Sequence, residues 1–274
     1  MLNFFKKIGS IMSKFCSLAS GSSGNSVFVE HKGSKILIDC GFSGRKIENL
    51  LSQIDEKPSD LDAIFLTHEH MDHVKGAGVI SRRYDIPIYA NKGTWLSFIK
   101  NAGKLKEENI KIFRSNSFLN FNSFDIFPIS IHHDANEPVG FILYLDNKKI
   151  TVLTDTGIID DRILNEIKGS DVYYFEANHD LDALKRGPYT YPMKVRIMGK
   201  MGHLSNDQSA KILADALQGK NEKIFLAHLS ETNNSEELCK ITVDNYLKSC
   251  GLDTSRDIKL EVAKRHAPSS IVEL

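Results

Sequence analysis

Only four of the 274 residues are cysteine, Cys16, Cys40, Cys239 and Cys250, and no two of them stand in a C-x-x-C spacing. That excludes a thiolate zinc site and a dense disulfide framework, and fits a reducing, cytoplasmic environment. No run of about 18 apolar residues occurs, so no membrane span is expected. The start, Met1 to Ile8, lacks a sustained apolar stretch before a small-residue cleavage site, and no secretory signal is expected. A charge excess is missing too, since 35 basic residues balance 35 acidic ones. A polyanionic partner would therefore have to be held by a local patch. Repeats, low-complexity tracts and Pro-rich linkers are likewise absent.

The composition that remains, 41% hydrophobic and 26% charged, is that of a globular protein long enough to bury a substantial core. Met12 directly precedes Ser13-Lys14-Phe15. Residues 1–12 are read as an N-terminal extension and residues 13–274 as a single domain.

One stretch dominates the chemistry. Thr67-His68-Glu69-His70-Met71-Asp72-His73 places three imidazoles and two carboxylates within six consecutive residues. Ala63 to Leu66 ahead of it reads as a buried strand, and Val74 to Ile80 behind it opens a helix. Ligands leaving a strand end into a short loop can converge on one point. His with Asp is a ligand set for zinc, manganese or iron. A polar turn rich in histidine by chance is the plain alternative, and three of ten histidines in six residues speak against it.

Other polar residues recur where apolar runs end. Lys35 to Ile38 stops at Asp39, Phe118 to Ile131 stops at His132-His133-Asp134, Lys149 to Leu153 leads to Asp155, and Lys223 to Ala227 delivers His228. Singly, each would pass as a surface histidine or a turn-forming aspartate. Ser20-Gly21-Ser22-Ser23-Gly24-Asn25 is a tight loop that could admit an anion to its backbone amides or serve as a plain hairpin turn. Helices are expected over Arg45–Gln53, Thr94–Asn101, Ser205–Gln218 and Ser235–Ser249, the last two capped by their serines. The alternation of helices and short strands supports a layered α/β protein.

His68-x-His70-x-Asp72-His73 resembles the H-x-H-x-D-H signature of the metallo-β-lactamase superfamily. The order Asp39, that cluster, His133, Asp155, His228 is similar to all five of its motifs. The resemblance implies a four-layer αββα sandwich and two divalent ions, Zn²⁺ or Mn²⁺. His68, His70 and His133 would hold one ion, Asp72, His73 and His228 the other, with Asp155 between them and Asp39 supporting the ligands from behind. His133-Asp134-Ala135 followed by Pro138-Val139-Gly140 resembles a segment of the YycJ (WalJ) subgroup of metal-dependent exonucleases, which selects His133 over His132. Glu176-Ala177-Asn178-His179-Asp180 and Gly202-His203-Leu204-Ser205-Asn206 also match that subgroup. Glu176 and His203 resemble the tRNase Z pair in which a glutamate orients a proton-donating histidine.

By this resemblance the expected activity is that of a dinuclear phosphodiesterase acting on DNA rather than RNA, a 5′–3′ exonuclease. Asp72, Glu176 and His203 are its catalytic candidates. Between Glu176 and His203, the sixteen residues 185–200 hold Lys185, Arg186, Lys194, Arg196 and Lys200, interleaved with Tyr189 and Tyr191 and with no acid. Cations offset phosphates and tyrosines stack on bases. Asn178, Lys194, Arg196 and Ser205 are the candidate substrate contacts. The rival readings are a hydrolase of a small phosphodiester, thioester or lactone, and a non-catalytic regulatory nucleic-acid-binding protein.

Overall fold

The computed structural model describes residues 13–274; the expected N-terminal extension, residues 1–12, lies outside them. Most strands carry apolar residues on both faces, so each sheet must be covered on both sides. One sheet contains β1 (Ser13–Ala19), β2 (Ser26–His31), β3 (Ser34–Ile38), β4 (Ala63–Phe65), β5 (Ile88–Ala90) and β6 (Ile110–Ile112). The other contains β7 (Leu119–Phe121), β8 (Phe124–Ser130), β9 (Val139–Leu145), β10 (Lys148–Leu153), β11 (Val172–Glu176), β12 (Glu222–Ala227) and β13 (Ile258–Val262). The short β14 (Val272–Glu273) returns to pair with β1, giving the orders β14-β1-β2-β3-β4-β5-β6 and β13-β12-β11-β10-β9-β8-β7.

Side-chain alternation assigns the layers. Val27 and Val29 of β2 join Phe225 and Ala227 of β12 in a core between the sheets. Phe28 turns the other way, into a core with Ile47 and Leu50 of α1 (Gly44–Ser52). That outer layer also holds α2 (Met71–Val74), α3 (Ala77–Tyr84) and α4 (Lys92–Ala102). Ile224 and Leu226 of β12 face the opposite outer core. There they meet Ile163 of α5 (Asp161–Ile167), Leu213 of α8 (Asn206–Ala216) and Val243 of α9 (Glu236–Ser249). Between α5 and α8 lie α6 (Leu181–Arg186) and α7 (Tyr191–Met198). The result is the αββα sandwich.

Two local readings change. The helix expected from Val74 onward is two helices, because Gly76 between them donates its N–H to the carbonyl of Cys40 (2.8 Å). A side chain on Gly76 would meet the carbonyl of Phe42 at 2.3 Å. The basic segment, read without secondary structure, is α6 and α7. Ser205 and Ser235 do cap α8 and α9, accepting from Gln208 N and Leu238 N.

Strands β3 and β4 run parallel, as do β10, β11 and β12. Their carboxyl ends therefore open on one edge of the sandwich, the usual place for a site in such sheets.

Candidate metal centre

Three of the polar residues at those strand ends, Asp39, Asp155 and His228, adopt left-handed backbone conformations (φ 60°, 59° and 56°). Asp and His tolerate this region better than bulkier residues, and outliers of this kind cluster at functional sites. The turns hold each side chain back over the strand ends. Gly41 lets the loop after β3 lie directly on α2, since a Cβ there would sit 1.7 Å from the carbonyl oxygen of Asp72. No other residue could occupy that position without displacing the cluster.

Asp39 is buried behind the cluster. Its carboxylate accepts from Thr67 N (2.9 Å), from Thr67 Oγ1 (2.8 Å) and from His73 Nδ1 (2.7 Å). This fixes the His73 tautomer and leaves Nε2 facing inward, 3.2 Å from Asp155 Oδ2 and 3.5 Å from Asp72 Oδ2. Carboxylate–histidine pairs of this kind orient metal ligands. His70 and His133 meet through Nδ1 and Nε2 at 3.2 Å. His132, in contrast, turns outward to Asp160 (3.0 Å) with its side chain 38% exposed.

Three groups of ligand-type atoms result, each with its atoms within 4.8 Å of one another: His68, His70, His133; Asp72, His73, His228; and His68, His73, Asp155. A fourth group, Asp155, Glu176, His203 and His228, satisfies the same distance. It is better described as a hydrogen-bonded cluster, because His203 Nδ1 and His228 Nδ1 both donate to Glu176 Oε1, at 2.8 and 3.0 Å. The other oxygen of Glu176 accepts from the amides of Thr156 (3.0 Å) and Leu204 (3.1 Å).

The charges interlock. Burial would push the Asp155 carboxyl up, but His228 and His73 hold it well below the usual range. Burial likewise opposes the low value of Asp72, which His73 and His228 impose. Glu176 stays ionised at about 2, its burial outweighed by His203 and His228. Burial works against charge on His73, which Asp155, Asp39 and Asp72 raise well above normal, and on His228, which Asp155, Asp72 and Glu176 raise to about 10. Burial pushes His68 and His133 down, which keeps these rings neutral and able to ligate. His68 Nε2 is buried without a hydrogen-bond partner, and Asp155 Oδ2 and His228 Nε2 are buried beside His73 Nε2 (3.2 Å) and Asp72 Oδ2 (3.5 Å) without a hydrogen bond of good geometry. Buried polar atoms are normally satisfied. Nitrogen and oxygen donors left open around ionised carboxylates fit divalent cations.

The centre floors a cavity of about 380 Å³ lined by His70, Asp72, His133, Asp155, His203 and His228. Its walls bring in Asn178 and Arg196, as the sequence suggested, and Ser22 from the loop read as a possible anion turn, together with Ser230, Met193 and Ile197, to which sequence reasoning gave no role. Arg196 is paired with Asp134 (2.6 Å). One candidate contact is corrected, and another lies outside the cavity. Ser205 is fully buried with its hydroxyl committed to the α8 cap, and does not line the cavity. Lys194 is also outside the lining and donates Nζ to the carbonyl of Lys185 (2.6 Å). Asn25 is an addition, its Nδ2 lying 3.2 Å from His73 Nε2; the Gly-rich loop containing it was the available signal.

Over 249 residues the chain is 41% identical to exodeoxyribonuclease WalJ of Streptococcus pneumoniae, a match covering 90% of this chain and 93% of that protein. Over 257 residues it is 35% identical to exodeoxyribonuclease YycJ of Bacillus anthracis, covering 94% and 97%. Among solved structures it is similar to the metallo-β-lactamase fold protein YhfI of Bacillus subtilis, with a TM-score of 0.69 and 15% identity over 96% of this chain and 99% of that one. That likeness concerns the fold alone. Residues 19–228 match the family described as the metallo-beta-lactamase superfamily. With the αββα sandwich and the histidine–aspartate centre at its open edge, the chain belongs to that superfamily.

Proposed function

We propose that the protein is a metal-dependent exonuclease that hydrolyses DNA from the 5′ end. The observation that carries the reading is the convergence of His68, His70, His133, Asp72, His73, His228 and Asp155 on the floor of one open cavity. It is supported by similarity over nine-tenths of the chain to proteins named exodeoxyribonucleases.

His68, His70 and His133 would hold one divalent ion and Asp72, His73 and His228 a second, with Asp155 able to address both through its two oxygens. Zinc and manganese suit these donors. Bound there, such ions supply Lewis-acid stabilisation of the phosphate and an acidified water for in-line attack. Asp39 holds His73 in its ligating tautomer. His203 lines the cavity and gives its Nδ1–H to Glu176, which leaves Nε2 to pass a proton to the departing sugar oxygen. Arg196 stands where it can share its charge between Asp134 and a phosphate.

The test is digestion of 5′- and 3′-end-labelled DNA and RNA by purified protein, with metal content measured on the same sample. About two ions per chain and release of mononucleotides from the 5′ end of DNA are expected. Digestion of RNA alone, or full metal content in a His68→Ala/Asp155→Ala variant, would refute the assignment.

A further inference from the structure

The atoms that must meet the scissile phosphate lie deep. His68 is fully buried, and Asp155, His133 and His228 are only 2–3% exposed. The cavity above them, about 380 Å³, is at the small end of ligand sites, roughly 300–1,000 Å³. A cavity of that size has room for about one nucleotide over the centre, and the two strands of a paired end would not fit in it together.

The lining beyond the centre suits one nucleotide. Tyr189, Met193 and Ile197 are its apolar members, Ser22, Asn178 and Ser230 its polar, uncharged ones, and Arg196 adds a cation. Tyr189 is held by its hydroxyl, which donates to Thr232 Oγ1 (3.3 Å), so its ring does not have to be ordered by the ligand. Met193 stands at the mouth with 41% of its surface exposed. A thioether side chain adapts to rings of different size. Aromatic stacking is indifferent to base identity, because every base has a π-face.

We infer that the cavity takes a single unpaired terminal nucleotide, withdrawn from its duplex, with the base against Tyr189, Met193 and Ile197 and the phosphate over the centre. This rests on the nuclease reading above and adds to it the form of the substrate. It also assigns Tyr189 and Met193 to base capture, which compensates for the unpairing that extraction of a nucleotide requires.

The experiment is single-turnover digestion by the metal-loaded protein of three substrates sharing one labelled strand. They are a blunt duplex closed by G·C pairs, the same duplex with its first two pairs mismatched, and the strand alone. The open ends should be cut roughly tenfold or more faster than the G·C end. Tyr189→Ala and Met193→Ala should slow the G·C end several-fold more than the mismatched end, at unchanged metal content, and Tyr189→Phe should restore much of the difference. Equal wild-type rates on all three substrates would overturn the inference while leaving the nuclease reading intact. So would variants that slow all three alike. If no polynucleotide is cut under any condition, the nuclease reading fails first and takes this inference with it.

Discussion

Replacing His203 by alanine separates proton donation from metal binding, and the structure indicates how clean the separation will be. His203 contributes one of four donors to the buried Glu176 carboxylate; Thr156 N, Leu204 N and His228 Nδ1 remain after the substitution, at 3.0, 3.1 and 3.0 Å. Loss of one hydrogen bond to a charged group costs about 1.5–3 kcal/mol, within the usual stability of a domain. The variant should fold and keep its metals. If Nε2 protonates the leaving oxygen, the rate on DNA should fall roughly 10²–10⁴-fold, equivalent to about 3–5 kcal/mol of barrier. A sugar alkoxide leaves badly without a proton, whereas a nitrophenolate needs little help. Activity on bis-p-nitrophenyl phosphate should therefore stay within about tenfold of wild type. The assay is single-turnover kinetics on both substrates, with metal analysis of the same preparation. Equal losses on the two would refute the proton-donor role, and an accompanying loss of one ion would make His203 a ligand. Glu176→Gln is a poorer probe. Glu176 also holds His228, and an amide would turn its hydrogens toward two of the four donors, so both rate and metal content should suffer.

Three further outcomes follow from particular contacts. Asp39→Asn should weaken metal affinity roughly 10–100-fold without changing the ligand set, because His73 loses its charged partner; competition against a chromophoric chelator measures this. Arg196→Ala should weaken DNA binding and reduce the salt slope by about 1, whereas Lys194→Ala should do neither, since only Arg196 lines the cavity. Burial pushes the His179 ring down to about 4, below an unfolded value of about 6.5. As pH falls from about 6.5 to 4 the unfolded chain takes up a proton that the native one refuses, so stability drops by up to about 3 kcal/mol. Denaturant titrations of His179→Gln should lack that component.

The strand-end residues were legible as a set because each follows an apolar run and their order resembles that of the superfamily motifs. The strand end alone does not decide direction, since His132 turns outward to Asp160 while His133 faces the centre. The segment from Leu181 to Met198 was not legible as helix. Leu184 is the one buried residue of α6 and Ile197 the one buried residue of α7, too few to set up a helical period. That gap hides the difference between Lys194 and Arg196. Two residues along a helix turn through about 200°, so Lys194 and Arg196 face nearly opposite ways once α7 exists. As a string of charges they look equivalent. Ser205 failed for a different reason: a serine before a helix is favoured both as a cap and as a phosphate contact, and only its burial separates the two. Asn25 and Thr67 contact the histidines without being ligand types themselves, and only the Gly-rich loop around Asn25 hinted at either.

Both sheets contribute to the centre, and this bears on what metal removal should do. Asp39, His68, His70, Asp72 and His73 come from the first sheet's loops; His133, Asp155, Glu176, His203 and His228 come from the second's. Every ion held as proposed therefore bridges the seam. Without ions, direct pairs still cross it, His73 with Asp155 at 3.2 Å and His228 with Asp72 at 3.5 Å. The core between the sheets, with Phe15, Phe65, Phe141, Tyr174 and Phe225 fully or almost fully buried, does not depend on metal. Chelation should consequently abolish activity without unfolding the chain. At free metal about 100-fold above Kd, linkage contributes about 2.7 kcal/mol per site. For a domain of this size that corresponds to a loss in Tm of roughly 5–10 °C per ion. Thermal melts followed by circular dichroism, with and without chelator, measure it, and re-adding metal should restore both Tm and activity. An apo chain already unfolded at 25 °C would show that the sheets are held together by the metals and not by their shared core.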